Sequence, residues 1–183
     1  MAEMQQFEQP TGAVEESPPE EFNQAASSRD RGGKYLTFTM AEEDYGIGIL
    51  KVKEIIGMQD LTPVPQTPKS VKGVINLRGK VIPVVDLRLR FNMGEIEYTE
   101  RTCIIVLEIS SQWGMVHIGI VVDSVSEVLN VSENDIEDTP NFGMKFSTDY
   151  ILGIAKNDKD VKMLLDMDKV LGDENWTDME SFA

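Results

Sequence analysis

At 183 residues and 41% hydrophobic content, the chain can bury one core of ordinary domain size or two very small ones. A single cysteine and a single histidine exclude an internal disulfide, a cysteine-rich metal centre and any site needing several imidazoles. The net charge of −15 argues against nucleic acid or an anionic membrane surface as partner.

Residues 1–33 hold seven acids, two arginines and few large apolar side chains (Phe7, Val14, Phe22), too little to offset the entropy of ordering them. They are expected to form a disordered acidic tail. The opening "MAEMQQFEQP" has neither a basic start nor an apolar stretch, so no secretory leader is expected, and no run of 18 apolar residues suggests a spanning helix. These features predict a cytoplasmic protein.

The folded part begins at "KYLTFTM", a strand with Leu36, Phe38 and Met40 on one face. "AEED" is a turn and "YGIGI" a second strand. In "ILKVKEII", Ile49, Val52, Ile55 and Ile56 fall on one face at helical spacing, and Gly57 follows where a helix would end; a short helix is expected. "LTPVPQTP" enforces an extended path. "GVINLRGKVIPVVDLR" reads as two strands joined at Arg78-Gly79. Pro83 lacks an N–H and must lie at an edge, at a bulge or facing away from a neighbour. Asp86 is placed to cap a helical turn over "LRLRF".

"CIIVLEI" is a near-continuous apolar strand, "SSQWG" a turn and "MVHIGIVV" the return. "SVSEVLNV" continues after a bend at Asp123-Ser124. "SENDIEDTPNFGMKFST" is a loop long enough to carry function. "YILGIAK" and "KMLLDM" form a last hairpin, and Asp166 caps a short helix ended by Gly172. Residues 173–183 are expected to be an acidic tail. Eight to ten short strands without long intervening helices indicate antiparallel barrels or sandwiches.

Enzymatic motifs are absent. No glycine-rich phosphate loop occurs, and the acidic pairs fall in turns, where solvation accounts for them. No cofactor or metal is expected. The enzyme alternative is a small hydrolase using Cys103 and His117, should the two lie across a hairpin; alternation instead puts Cys103 in a buried strand. One charge feature departs from the overall acidity: residues 69–90 carry six bases (Lys69, Lys72, Arg78, Lys80, Arg88, Arg90) against Asp86. That island suits either an acidic partner surface or a solvated edge.

"YLTFTMAEEDYGIGILKVKEII", "TPKSVKGVINLRGKVIPVVDLRLRF", "GIVVDSVSEVL" and "STDYILGIAK" together resemble the CheW family of bacterial chemotaxis coupling proteins, in the family's order and spacing, over about residues 34–172. The most specific part is Asn76-Leu77-Arg78-Gly79 followed by Ile82-Pro83-Val84 and Asp86-Leu87-Arg88. The resemblance implies a mainly β fold of two interlocked five-stranded SH3-like barrels with a few short helices. Strands near the termini would complete one barrel, and residues from about 72 to 145 would build much of the other.

It also implies a non-enzymatic adaptor that binds the cytoplasmic signalling tip of chemoreceptors and the regulatory domain of the histidine kinase CheA, and that is recruited to membrane-associated arrays without inserting into the membrane. Carried over by motif position, the receptor groove would include Val52, Thr102, Cys103, Ile118, Gly119 and Val125, framed by Glu54 on the short helix and Arg78 at the turn. Gly119 would let a partner backbone approach. The kinase-side contact would involve Ile136, Glu137 and Phe142 in the loop 130–146; Glu137 and Asp138 make that loop acidic where some family members carry a base. The third alternative is a CheW-like regulatory module of another two-component pathway, for which neither tail has room to hold a kinase or receiver domain.

Overall fold

Leu36, Phe38 and Met40 point one way from their strand and Tyr35 and Thr37 the other, and both sets are buried. The same two-sided burial recurs through the molecule and explains the long apolar runs. The structure, a computed structural model, describes residues 30–112, 114–141 and 148–172. Within them lie strands β1 (Gly33–Met40), β2 (Glu43–Gly48), β3 (Val52–Gly57), β4 (Val71–Leu77), β5 (Lys80–Asp86), β6 (Cys103–Ser111), β7 (Gly114–Val122), β8 (Ser124–Val131), β9 (Ile136–Glu137), β10 (Ile151–Lys156) and β11 (Val161–Leu165). Two short helices, α1 (Leu87–Arg90) and α2 (Met167–Leu171), are capped by the Asp86 and Asp166 carboxylates, as the sequence predicts.

The strands make two sheets, the framework of two SH3-like barrels. One has the order β8-β1-β2-β11-β10-β9 and the other β3-β6-β7-β5-β4. Each contains one parallel junction, β2 with β11 and β5 with β7, where strands distant in sequence meet. The second sheet is one uninterrupted stretch of chain from Val52 to Val122. The first is assembled from what flanks it. Residues 72–145 do build much of the second barrel, through β4 to β7; β3 joins them, and β8 and β9 return to the first sheet. The return is enforced by pairing, because β8 lies antiparallel along β1 from Gly33↔Val131 to Thr39↔Ser124.

The helix expected over residues 49–56 is also corrected. Only Ile49–Lys51 turn, as a single 3-10 turn, and Val52 onward is strand β3. Pairing with β6, from Val52↔Leu107 to Gly57↔Cys103, overrides the helical spacing. Ile55, counted on the apolar face of that helix, is 44% exposed, while Glu54 takes the half-covered side.

Three apolar clusters follow from the alternation. The largest joins Leu36, Phe38, Met40 and Ile47 of the first sheet to Ile105, Leu107, Ile118 and Ile120 of the second. Behind the second sheet, Ile75, Ile82, Val84, Ile104, Val106 and Val121 form another. Behind the first, Tyr35, Ile136, Ala155 and Leu164 form the third. β6 is apolar from Cys103 to Leu107 because odd and even positions serve different cores.

Pro83 sits in β5, between β4 and β7, yet breaks no ladder. Its partner Val74 turns both backbone groups the other way, to Thr62, at 3.0 and 2.9 Å. The imide nitrogen therefore faces the β7 side, where pairing begins only at Val84.

An ion pair ties the barrels together. Arg88 Nη1 donates to Asp123 Oδ2 at 2.8 Å, and the same oxygen accepts the backbone N–H of Ala41, in the β1–β2 turn, at 2.9 Å. Both side chains are largely covered. Arg88→Met should cost about 2–3 kcal/mol in chemical denaturation by leaving Asp123 unneutralised, and adding Asp123→Leu should recover part of it. A double variant less stable than the single would contradict this account.

Asp44 joins β2 to Lys162 on β11 at 2.8 Å, and Lys162 holds the Asp44 carboxyl below its ordinary value of 3.8. A carboxyl depressed by folding stabilises above its unfolded value and loses that contribution as pH falls through the folded one. Lys162→Met should therefore lower the melting temperature at about pH 7 and make little difference at about pH 2. Equal losses at both ends would show that the lysine acts by packing alone.

Candidate functional site

Arg78 and Gly79 form a two-residue hairpin loop with φ of 54° and 84°, closed by Leu77↔Lys80. Two positive φ values mark a type I′ turn, whose twist matches the flanking strands and which favours Asn-Gly. Asn76 Oδ1 accepts the Gly79 N–H at 2.9 Å and tightens the turn. Glycine meets this geometry freely; arginine occupies it at a cost of about 1–2 kcal/mol. Among the described residues it shares a positive φ with four other non-glycine residues, Ala41, Glu42, Gln66 and Asn92.

That side chain reaches β3. Arg78 Nη1 and Nη2 donate to Glu54 Oε2 and Oε1 at 2.9 and 2.6 Å, a two-point pair that sets the orientation of both groups. The Arg78 side chain is 75% exposed and Glu54 25%. The guanidinium is thus held in place and still presented to solvent.

The apolar candidates divide into groups. Val52, Cys103 and Val125 are half-buried, each packed against the main core. Val52 and Ile118 occupy one row across the second sheet, on either side of Leu107. Cys103 lies four residues from Leu107 along β6, about 13 Å at ordinary strand rise, where the sheets meet. There a Val125 backbone hydrogen bond reaches Cys103, joining β6 to β8. Burial pushes the thiol up, and that bond opposes it only in part, so the group is a neutral thiol near pH 7.

Thr102 is buried, with its Oγ1 accepting the Thr99 N–H at 2.9 Å. Ile118 is fully buried in the main core. Gly119 is buried too, and the space its missing side chain leaves is taken from within: a Cβ there would stand 2.8 Å from Ile104 Cγ2 and 3.3 Å from Val84 Cγ2. The expected approach of a partner backbone at Gly119 is corrected on that ground.

His117 is not near Cys103. It pairs across the hairpin with Glu108, Nε2 to Oε2 at 3.3 Å, whereas Cys103 pairs with Val122, five residues along and about 17 Å away. The Cys103–His117 pair of the hydrolase alternative is therefore contradicted. Glu108 also meets Lys53 at 3.2 Å, and Lys53 first, then His117, lowers the Glu108 carboxyl. Lys53, Glu108 and His117 extend the charged strip that Glu54 and Arg78 begin, and the sequence reasoning missed them. Counting the β6–β7 register back from its turn, Ser111↔Gly114, would have placed Glu108 opposite His117.

Half of the basic island is ion-paired within the molecule. Lys72 pairs with Glu95, Arg78 with Glu54 and Arg88 with Asp123, while Arg90 Nε donates to the Val170 carbonyl at 3.0 Å. On the far side, Ile136 is buried in the third cluster and Glu137 is exposed and paired with Lys156. Phe142 lies outside the described residues.

Comparison with known proteins gives a consistent result. A family profile described as "CheW-like domain" matches residues 34–175. The chain is 38% identical over 152 residues to "Chemotaxis protein CheW" of Klebsiella aerogenes, covering 83% of this chain and 89% of the relative. It is 36% identical over 145 residues to "Chemotaxis protein CheW" of Bacillus subtilis, covering 79% and 90%. Among solved structures it is similar to "scaffolding protein TtCheW" from Thermoanaerobacter tengcongensis, with a TM-score of 0.68 and 35% identity over 79% of this chain and 94% of that one.

Proposed function

This chain belongs to the CheW family, and from that membership we propose that it is a non-enzymatic adaptor coupling chemoreceptors to the histidine kinase CheA. Family membership supports a scaffold role in chemotaxis; the two partners and their contact residues are the proposal. One observation on this chain carries it. At the Glu54–Arg78 pair, an arginine held in a strained turn is oriented by a two-point ion pair and still 75% exposed. Val52, two residues from Glu54 along β3, and Cys103 and Val125, where β6 meets β8, are half-buried apolar residues packed against the main core.

A helical tip docked on these half-buried apolar residues would take its register from the charged pair. In this proposal Val52, Cys103 and Val125 contact the chemoreceptor tip, Glu54 and Arg78 fix its register, and Thr102, Ile118 and Gly119 shape the surface from beneath. Ile136, Glu137 and Phe142 serve the kinase regulatory domain. The working unit is residues 34–172 together with 31–33, which the structure packs onto it, with acidic tails at 1–30 and 173–183. No helix among the described residues is long and apolar enough to cross a membrane, in keeping with the proposed cytoplasmic location on receptor arrays.

Binding of purified receptor signalling tips and kinase regulatory domain, each titrated separately, tests the proposal. Saturable binding to both is the expected result; failure to bind either one removes the adaptor function.

A further inference from the structure

We propose that Arg31 is a positioning residue for the kinase-side contact, its guanidinium fixing the backbone of residues 133–138 in the form presented there. This rests on the assignment of Ile136 and Glu137 to that contact. Arg31 precedes β1 and lies in the segment the sequence assigns to the tail, yet its side chain is only 18% exposed. Its backbone N–H donates to Glu133 Oε2 at 2.6 Å, and Nε and Nη2 donate to Glu133 Oε1 at 3.1 and 3.0 Å. Nη1 donates to Asp138 Oδ1 at 2.8 Å and to the Leu152 carbonyl at 3.1 Å, and Nη2 donates to the Ile136 carbonyl at 3.4 Å.

One planar group therefore grips the segment before, within and after β9, and ties it to β10. β9 has only two residues and pairs only through Ile136↔Ala155 and Glu137↔Ile154, too short a ladder to hold the flanking chain by itself. Gly153 makes room for this arrangement: a Cβ there would stand 2.5 Å from Ile136 Cγ2, 2.9 Å from the Glu137 carbonyl oxygen and 3.0 Å from Arg31 Nη1. The Tyr35 hydroxyl donates to the Arg31 carbonyl at 2.5 Å and pins the other end. A lysine, with a single point of charge, cannot span Glu133 and Asp138 together.

The test uses the full chain and the variants Arg31→Gln and Arg31→Lys, with amide hydrogen exchange as one arm and separate titrations against kinase regulatory domain and receptor signalling tip as the other. Both variants should speed exchange at residues 133–138 about tenfold or more by easing local opening. The dissociation constant for the kinase domain should rise about tenfold, with receptor-tip affinity unchanged. Glu133→Gln should reproduce Arg31→Gln, and the double variant should be no worse than either. Faster exchange throughout both sheets with both partners weakened alike would make Arg31 a general stabiliser and overturn the proposal. So would local loosening with kinase affinity unmoved, or full function in Arg31→Lys. A wild-type chain that binds receptor tip but no kinase domain would remove the kinase-side assignment itself, and the positioning role with it.

Discussion

Arg78→Glu should abolish coupling in a reconstituted receptor–kinase assay, lowering kinase activation at least about tenfold, while the protein stays folded. The substitution sets a carboxylate against Glu54, which now accepts two hydrogen bonds from Arg78 at 2.6 and 2.9 Å. Lost attraction becomes repulsion at the point that fixes register, and like charges brought together at an interface cost several kcal/mol. The effect on folding is small because Arg78 is 75% exposed and makes a surface pair, a class worth about 0–1 kcal/mol.

Arg78→Asn sharpens the separation. Asparagine accepts the positive φ of 54° more readily than arginine, so this variant should melt no lower than wild type and still lose coupling. A variant that is both stable and fully active would show that the arginine only decorates the turn. A variant that loses coupling because it unfolds would show the same residue acting as a structural pin. Circular dichroism, thermal melting and the coupling assay on the two variants separate these outcomes.

Gly73→Ala should be among the most destabilising single changes in the chain, at about 3–5 kcal/mol. Gly73 has φ of +142°, a region almost confined to glycine. It lies at a register shift in the β4–β5 ladder, where the start of the proline-rich stretch crosses β4. A Cβ there would stand 2.7 Å from the Thr62 carbonyl carbon, nearer still to its oxygen, and 3.2 Å from Pro63 Cα. These are backbone atoms held by the Thr62–Val74 hydrogen bonds, so they cannot yield as the end of a flexible side chain would. Relief would require breaking the bridge that positions Val74 and leaves Pro83 unopposed. Urea denaturation of Gly73→Ala against Gly119→Ala makes the contrast, since the Gly119 clash is with two side-chain methyl groups. Equal, small losses at both sites would contradict a rigid crossing.

The strands, both helix caps and the Arg-Gly turn were legible because each is a local matter. Alternation of apolar residues gives faces, Asp86 and Asp166 stand where a cap belongs, and Pro83 restricts its own neighbours. The β3 segment was misread for an equally physical reason. Ile49, Val52, Ile55 and Ile56 match a helical stripe as well as they match an edge strand with one apolar residue turned outward, and only the presence of β6 alongside decides. Of the candidate site, the motif pointed to Glu54 and Arg78 separately. Their two-point pairing depends on β3 and the β4–β5 turn lying at the same end of the second barrel, 24 residues apart in sequence. The Arg31 slot was hidden for the same reason: its acceptors lie 102 to 121 residues away.

By itself the sequence determined that the chain builds short strands rather than long helices, where they turn, that cysteine–histidine chemistry has little material to work with, and which family the motif order resembles. These follow from residue types and their spacing, which act through backbone propensity and burial over a few residues. The tertiary structure alone decided which strands share a sheet, that the two barrels meet across one common core, and that half of the basic island is ion-paired from within. Those outcomes depend on pairings between distant segments, whose energies come from surfaces and charges that no local stretch of chain contains.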